Sequence, residues 1–247
     1  MSTIALVTGA SRGLGLETAR RLGRRDGYKV IVGARDATGG ERAVAALLDD
    51  GIDAEMVVLD VTSPASVEAA GGTVEERHGR LDVLVNNAGI LPEATEGTGN
   101  GPVDVDMFRR TFDTNVFGAV AVSQRFLPLL RRSPAGRIVN VSSTMGSLDD
   151  QLDPESPYYG VVVPAYQGSK AALNAFTIAL SKTLADTAIK VNSVCPGWLQ
   201  TGLGGPDNRA AAPTTAADGA EIVVEMACLA EDGPTGSFVD RDGSVAW

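Results

Sequence analysis

The chain is poor in the side chains that hold metals or form cross-links. Its 247 residues include one histidine and two cysteines. A lone His78 gives no basis for a multi-histidine site, so no metal is expected. Cys195 and Cys228 lie in apolar surroundings and do not make a disulfide framework; each reads as a buried thiol. No apolar run reaches the roughly 18 residues that a membrane helix needs. Positive charge is also scarce, with 21 Lys and Arg against 31 Asp and Glu and a net charge of −10. That balance argues against non-specific binding to nucleic acid or anionic membranes. Met1-Ser2-Thr3-Ile4 leads into an apparent strand with no basic segment and no cleavage site, so a cytoplasmic protein is expected.

What is abundant is alternation. Short β-rich apolar runs at Ile4–Thr8, Lys29–Gly33, Glu55–Asp60, Leu81–Asn86, Arg137–Ser142, Ile189–Cys195 and Ser237–Val239 read as strands. Between them, helical patterns run over Gly13–Arg25, Gly40–Asp49, Pro64–Arg77, Val105–Phe112, Asn115–Leu130, Tyr166–Asp186 and Ala216–Ala230. This order predicts an α/β protein with a doubly wound parallel sheet of about seven strands and helices on both faces. No linker or repeat interrupts it, so a single domain over 1–247 is expected. Thr38 with Glu41 has capping-box spacing, and Ser63 before Pro64 matches a polar cap with an N1 proline. His78, before Gly79, falls where it can complement a helix's carbonyl end. Irregular stretches at Pro92–Val103, 146–165 and 197–215 each follow a strand's carboxyl end, where open α/β sheets bind ligands. The last reads as a lid with a short helix.

Two groups of residues carry chemistry. The first is Thr8-Gly9-Ala10-Ser11-Arg12-Gly13-Leu14-Gly15, between a strand and a helix. Its glycines allow a tight turn and let a pyrophosphate approach helix-terminal N–H groups. The spacing is neither G-x-G-x-x-G nor a P-loop. Arg35, at the end of the second strand, and Arg12 suit a 2′-phosphate and hence NADP(H), while Asp36 keeps a ribose-binding, NAD-type reading open. Asp60 and Val61 can border the adenine. Ala88 and Gly89 admit close backbone approach, and the asparagines before them, Asn86 and Asn87, can tie strands together.

The second group is Tyr166 and Lys170, four apart on a helix and so on one face, after an Asn-Val-Ser-Ser run at 140–143. A phenol with a pKa near 10 is a poor acid or base at neutrality, and an adjacent ammonium favours its phenolate. The run alone does not separate Ser142 from Ser143, which should point oppositely. Leu91, Met145, Tyr158, Tyr159, Val163, Trp198 and Leu203 are candidate substrate contacts of apolar bulk, with lid packing as the plainer reading.

Taken together, Thr8-Gly9…Gly13…Gly15, Asp60, Asn86-Asn87-Ala88-Gly89, Asn115, Ser143, Tyr166…Lys170 and Pro196-Gly197 resemble the classical short-chain dehydrogenase/reductase family over nearly the whole chain. Arg12, Arg35, the Cys195-Pro196-Gly197-Trp198 turn and the Gly236…Trp247 tail look most like NADPH-dependent carbonyl reductases. The resemblance implies a Rossmann-like fold and hydride transfer between NADP(H) and a carbonyl or alcohol carbon. It assigns proton transfer to Tyr166, a hydrogen bond to the substrate oxygen to Ser143, and binding of the nicotinamide ribose to Lys170. It gives Asn115 a helix-shaping role and a water in the proton path. Pro196 and Gly197 would line the nicotinamide, and Thr201 would contact its carboxamide or the phosphates. Where the family often has an acidic residue after that threonine, this chain has Gly202, which should loosen the start of the lid helix.

Ser143 and Tyr166 stand 23 positions apart, farther than the usual family connection. The insert at 146–165 can shield a subunit-pairing surface, build part of the substrate wall, or do both, so self-association stays open. The motif does not choose between reduction and oxidation of a secondary or steroid-like alcohol. A nucleotide sensor without turnover is the reading from another class, and the presence of both Tyr166 and Lys170 weighs against it.

Overall fold

The computed structural model of the protein describes residues 2–97 and 104–247. Eight strands form one sheet: β1 (Thr3–Thr8), β2 (Tyr28–Ala34), β3 (Ala54–Val58), β4 (Val83–Asn86), β5 (Arg137–Val141), β6 (Lys190–Val194), β7 (Phe238–Asp240) and β8 (Gly243–Ser244). The order is β3-β2-β1-β4-β5-β6-β7-β8, parallel throughout except for β8, which pairs antiparallel with β7. The sequence reading counted seven strands and missed β8, a two-residue edge turn-back too short to show an alternating pattern.

The helices are α1 (Gly13–Gly23), α2 (Ala37–Asp49), α3 (Pro64–His78), α4 (Glu93–Glu96), α5 (Val105–Phe112), α6 (Ala119–Leu130), α7 (Leu148–Leu152), α8 (Pro164–Thr183), α9 (Gly205–Ala211) and α10 (Ala216–Ala227). Strand alternation sorts the core into two layers. Ala5, Val7, Val30, Val32, Val83, Val85 and Val139 point to the side covered by Ala19 and Leu22 of α1 and by Val223 and Met226 of α10. The bulkier Leu6, Ile31, Leu84 and Ile138 face Val74 of α3 and Val122, Phe126 and Leu129 of α6. Fully burying each such side chain contributes roughly 1.5–3 kcal/mol. Among the described residues, no helix is long and apolar enough to cross a membrane.

Several local expectations need correction. The cap of α2 is Asp36, not Thr38: its carboxylate accepts from Gly39 N at 2.7 Å, and the helix begins three residues before the expected Gly40. Ser63 does cap α3, accepting from Ser66 N, with Pro64 in the first turn. His78 ends that helix, but its Nε2 lies 3.0 Å from Glu55 Oε1 on β3, and Gly79 closes the end with φ +70°. Asn115 does not start a regular helix. Residues Asp113–Gly118 form a π turn between α5 and α6. Cys195 is buried, whereas Cys228 is only half-buried, 3.3 Å from the Tyr28 hydroxyl. Residues 98–103 of the expected 92–103 loop, together with Met1, lie outside the described residues.

Candidate active site

The chain leaves β1, builds outward to β3, then returns to lay β4 on β1's other side. The crevice at the carboxyl ends of β1 and β4 is the topological switch point of this sheet. Gly9 and Gly13 in the turn after β1 have φ of +64° and +57°, which favours glycine over any other residue. Gly15 is needed for a different reason: a Cβ there would stand 2.5 Å from Asn87 Nδ2 and 2.6 Å from Gly9 O. Thr8 Oγ1 accepts from the amides of Asn87 and Ala88 at 3.0 and 2.9 Å, while Asn87 Nδ2 donates to Thr8 O at 2.8 Å. The two strand ends are thereby locked edge to edge. A Cβ at Gly9 would meet Ala88 Cα at 3.0 Å, so the floor of the crevice is bare backbone.

That cradle fits a dinucleotide. Arg12 precedes α1 in extended conformation and makes no side-chain cap, leaving first-turn amides of α1 free to meet an anion. Ser11 is half-buried beside the start of α2, and Leu14 packs on the aliphatic core. Arg12 and Arg35 are exposed, and neither forms an ion pair with a described residue. Asp60 turns its carboxylate onto Thr62, accepting from its N and Oγ1 at 3.0 and 2.7 Å. Val61 is buried against Gly118, where a Cβ would lie 2.7 Å from Val61 Cγ2. Across the crevice, Thr201 comes down on the glycine turn, with Cγ2 3.5 Å from where a Gly13 Cβ would be. Pro196 and Gly197, the latter at φ +87°, lead into that contact.

The four residues singled out for proton transfer converge at the carboxyl end of β5. Tyr166 and Lys170 are both buried on α8, with Lys170 Nζ 5.5 Å from the Tyr166 ring centre. Nζ donates to Val141 O at 2.8 Å. Ser143 lies close enough to the Tyr166 phenol to lower its pKa, whereas buried Ser142 turns to Lys170 O at 3.5 Å, so the alternation along the chain separates the two serines. Asn115, in the π turn, clamps Ile90: its Oδ1 accepts from Ile90 N at 2.8 Å and its Nδ2 donates to Ile90 O at 3.0 Å. The same Nδ2 reaches Ser169 Oγ at 3.0 Å, and that hydroxyl donates to Tyr166 O. A Cβ at Gly89 would sit 3.4 Å from Asn115 Oδ1 and 3.7 Å from Lys170 Nζ, so bare backbone borders the lysine as well.

Desolvation dominates the electrostatics of this pair. Burial pushes the Tyr166 phenol above its ordinary value, the nearby Cys195 thiol adds to the effect, and Ser143 opposes it. Burial also lowers Lys170, to about 8, against a smaller opposing effect of Cys195. Desolvation disfavours both charged forms, the phenolate and the ammonium.

On the outer side, Leu91, Met145, Tyr158 and Val163 are half-buried, while Tyr159, Trp198 and Leu203 are exposed. Burial raises the Tyr158 phenol above its ordinary value. The base of the 197–215 segment is pinned by Gln200, whose N donates to Thr214 O at 2.9 Å and whose Nε2 donates to Ala212 O at 3.1 Å. Trp198 Nε1 donates to Asn208 of α9, whose N-cap residue, Gly204, gives it no side-chain cap. Sequence reasoning missed Ser169 and Glu93. Glu93 is buried, and its carboxylate accepts from the amides of Ala165 and Tyr166, both at 2.9 Å.

The parallel sheet, with a glycine cradle at its switch point and a buried Tyr–Lys–Ser–Asn group beside it, defines an α/β protein of dinucleotide-binding architecture. The short chain dehydrogenase family model matches residues 3–212, and the chain belongs to that oxidoreductase family. It is 40% identical over 203 residues to a protein of Streptomyces virginiae assigned as a ketoacyl reductase of the monensin polyketide synthase, covering 81% of this chain and 72% of the relative. Carbonyl reductase [NADPH] 1 of Mus musculus is 31% identical over 281 residues, covering 99% and 98%. Among solved structures, NADPH-bound carbonyl reductase from chicken fatty liver superposes with a TM-score of 0.81 at 28% identity, covering 100% of this chain and 99% of that one.

Proposed function

We propose that the protein reduces ketones or aldehydes to alcohols, with NADPH as hydride donor and Tyr166 as the acid. The observation that carries this reading is the buried Tyr166 phenol, beside Ser143 and one helical turn from buried Lys170, at the edge of a backbone-lined crevice. Reduced nicotinamide, bound along that crevice, supplies the hydride. Gly9, Ser11, Gly13, Leu14, Gly15, Asn87, Ala88 and Gly89 give the cradle its shape, with Asp60, Val61, Pro196, Gly197 and Thr201 as its borders. Arg12 and Arg35, which form no ion pair with a described residue, offer guanidinium groups to a 2′-phosphate, while Asp36 is engaged as a helix cap. The mouse and chicken carbonyl reductases, the one named for NADPH and the other solved with it bound, point the same way.

As negative charge grows on the carbonyl oxygen, Tyr166 donates its proton and Ser143 a hydrogen bond. A phenol kept protonated by burial is ready to act as the acid in this direction. In alcohol oxidation the same oxygen takes the proton back. Lys170 binds the nicotinamide ribose and returns a proton toward Tyr166, and Asn115 holds the backbone around that route. Leu91, Met145, Tyr158, Tyr159, Trp198 and Leu203 form an apolar approach suited to a hydrophobic carbonyl compound, and the protein works in the cytoplasm.

The test is oxidation of NADPH, and of NADH in parallel, against a panel of ketones, aldehydes and diketones. Tyr166→Phe should lower kcat by about 10²–10⁴-fold with NADPH affinity unchanged within about twofold. Wild-type protein without turnover across the panel, or a phenylalanine variant of near-normal rate, overturns the proposal.

A further inference from the structure

We propose that Glu93 is a positioning residue for Tyr166, a role that rests on the function proposed above. Helix α8 lacks an ordinary start. Its N-cap residue is Val163, whose side chain cannot accept a hydrogen bond, and its first residue, Pro164, has no N–H. Three amides, those of Val163, Ala165 and Tyr166, therefore need acceptors from elsewhere. Gln167 Oε1 accepts from Val163 N at 3.1 Å. Glu93, 72 and 73 residues upstream, takes the other two, Oε1 from Ala165 and Oε2 from Tyr166.

The carboxylate is 8% exposed and forms no ion pair with a described residue. Its compensation comes from two charge-assisted hydrogen bonds and the positive end of a 20-residue helix. One of those bonds is made to the backbone of the proposed acid itself, so the contact sets where the phenol starts.

The segment bearing Glu93 is held at both ends. Ile90, three residues before it, is clamped through its N–H and C=O by Asn115. Thr95, two residues after it, touches the lid helix: a Cβ at Gly205 would stand 3.3 Å from Thr95 Cγ2. Residues 90–95 thus join Asn115, the first turn of α8 and the lid in one strut. A displacement of about 1 Å at a reacting group can reduce rate by about a hundredfold, without loss of binding.

Glu93→Gln keeps the shape but presents one amide with an NH₂ group in place of an acceptor. The expected results are faster hydrogen exchange at Ala165 and Tyr166, a kcat lower by about tenfold or more, and an NADPH dissociation constant within about twofold of wild type. The solvent deuterium effect on kcat should rise as proton transfer becomes limiting. The ¹³Cζ resonance of Tyr166, identified by its disappearance in Tyr166→Phe, should shift. Glu93→Asp, charged but too short to reach both amides, should fall in the same direction and serves if the glutamine variant does not fold. Faster exchange with unchanged kcat, isotope effect and Tyr166 resonance would reduce Glu93 to a helix pin and overturn the inference. If wild-type protein reduces no carbonyl compound, the functional reading fails, while the Tyr166 resonance still decides whether Glu93 places the phenol.

Discussion

At the scale of single residues, the environment of Lys170 has a measurable consequence. Its ammonium is buried with a backbone carbonyl, Val141 O, as its acceptor, and burial lowers its pKa from 10.5 to about 8. The unfolded chain holds the lysine proton up to the ordinary value, whereas the folded chain releases it near 8. Below about pH 8 the folded state bears the full penalty of the buried charge, and stability recovers as pH rises from there past 10.5. Lys170→Met should therefore abolish turnover yet stabilise the protein at pH 7, by up to about 3 kcal/mol. That advantage should vanish by about pH 10.5. Urea unfolding at the two pH values reads it directly, and a methionine variant less stable at pH 7 would contradict the assignment.

At the scale of elements, caps decide more than propensity. Asp36 belongs to the start of α2, where its carboxylate caps the helix. Asp36→Ala should lower unfolding stability by about 1 kcal/mol, while Asp36→Ser, another good cap, should restore most of it. Neither should change the ratio of NADPH to NADH efficiency by more than about twofold, because a cap does not touch the ribose. A strong shift toward one cofactor in the serine variant would return Asp36 to the nucleotide.

The elements legible in the sequence were those with local causes. Ser63 and Pro64 mark the start of α3, the glycine turn follows β1, and alternation of aliphatic residues marks the parallel strands. Non-local partners hid the rest. Thr38 and Asp36 both had cap chemistry nearby, and only the extended backbone at Asp36, at φ −99°, made it the acceptor. The π turn arises because Asn115 answers to Ile90 and Ser169. Glu93 lies far upstream of the amides it receives; the one local hint was α8 itself, a helix opened by Val163-Pro164 with no capping side chain of its own. The direction of the Tyr166 shift was hidden too, since residue spacing shows neighbours but not burial.

At the scale of the whole molecule, the aliphatic sheet carries one polar row. Asn86 of β4 lies in register with Asn140 of β5, which lies in register with Ser193 of β6. Asn86 Nδ2 donates to Asn140 Oδ1 at 2.8 Å, and Asn140 Nδ2 donates to Thr177 Oγ1 on α8, also at 2.8 Å. Thr177 in turn meets Ser193 Oγ at 2.8 Å. Removing the middle member leaves partners on a strand and a helix unsatisfied in the interior. Asn140→Ala should lower unfolding stability by about 2–4 kcal/mol and reduce kcat, read by urea denaturation and steady-state kinetics. A variant as stable as wild type would show that the row is incidental.

That row also works as a key. Slide β5 by a single residue and an aliphatic side chain would face Asn86, while Asn140 would be stranded among leucines and valines. The same slip would strip α8 of its anchor, and with it the seat of Tyr166. A wrongly threaded chain would thus lose its stability and the placement of Tyr166 together, since one lock checks both.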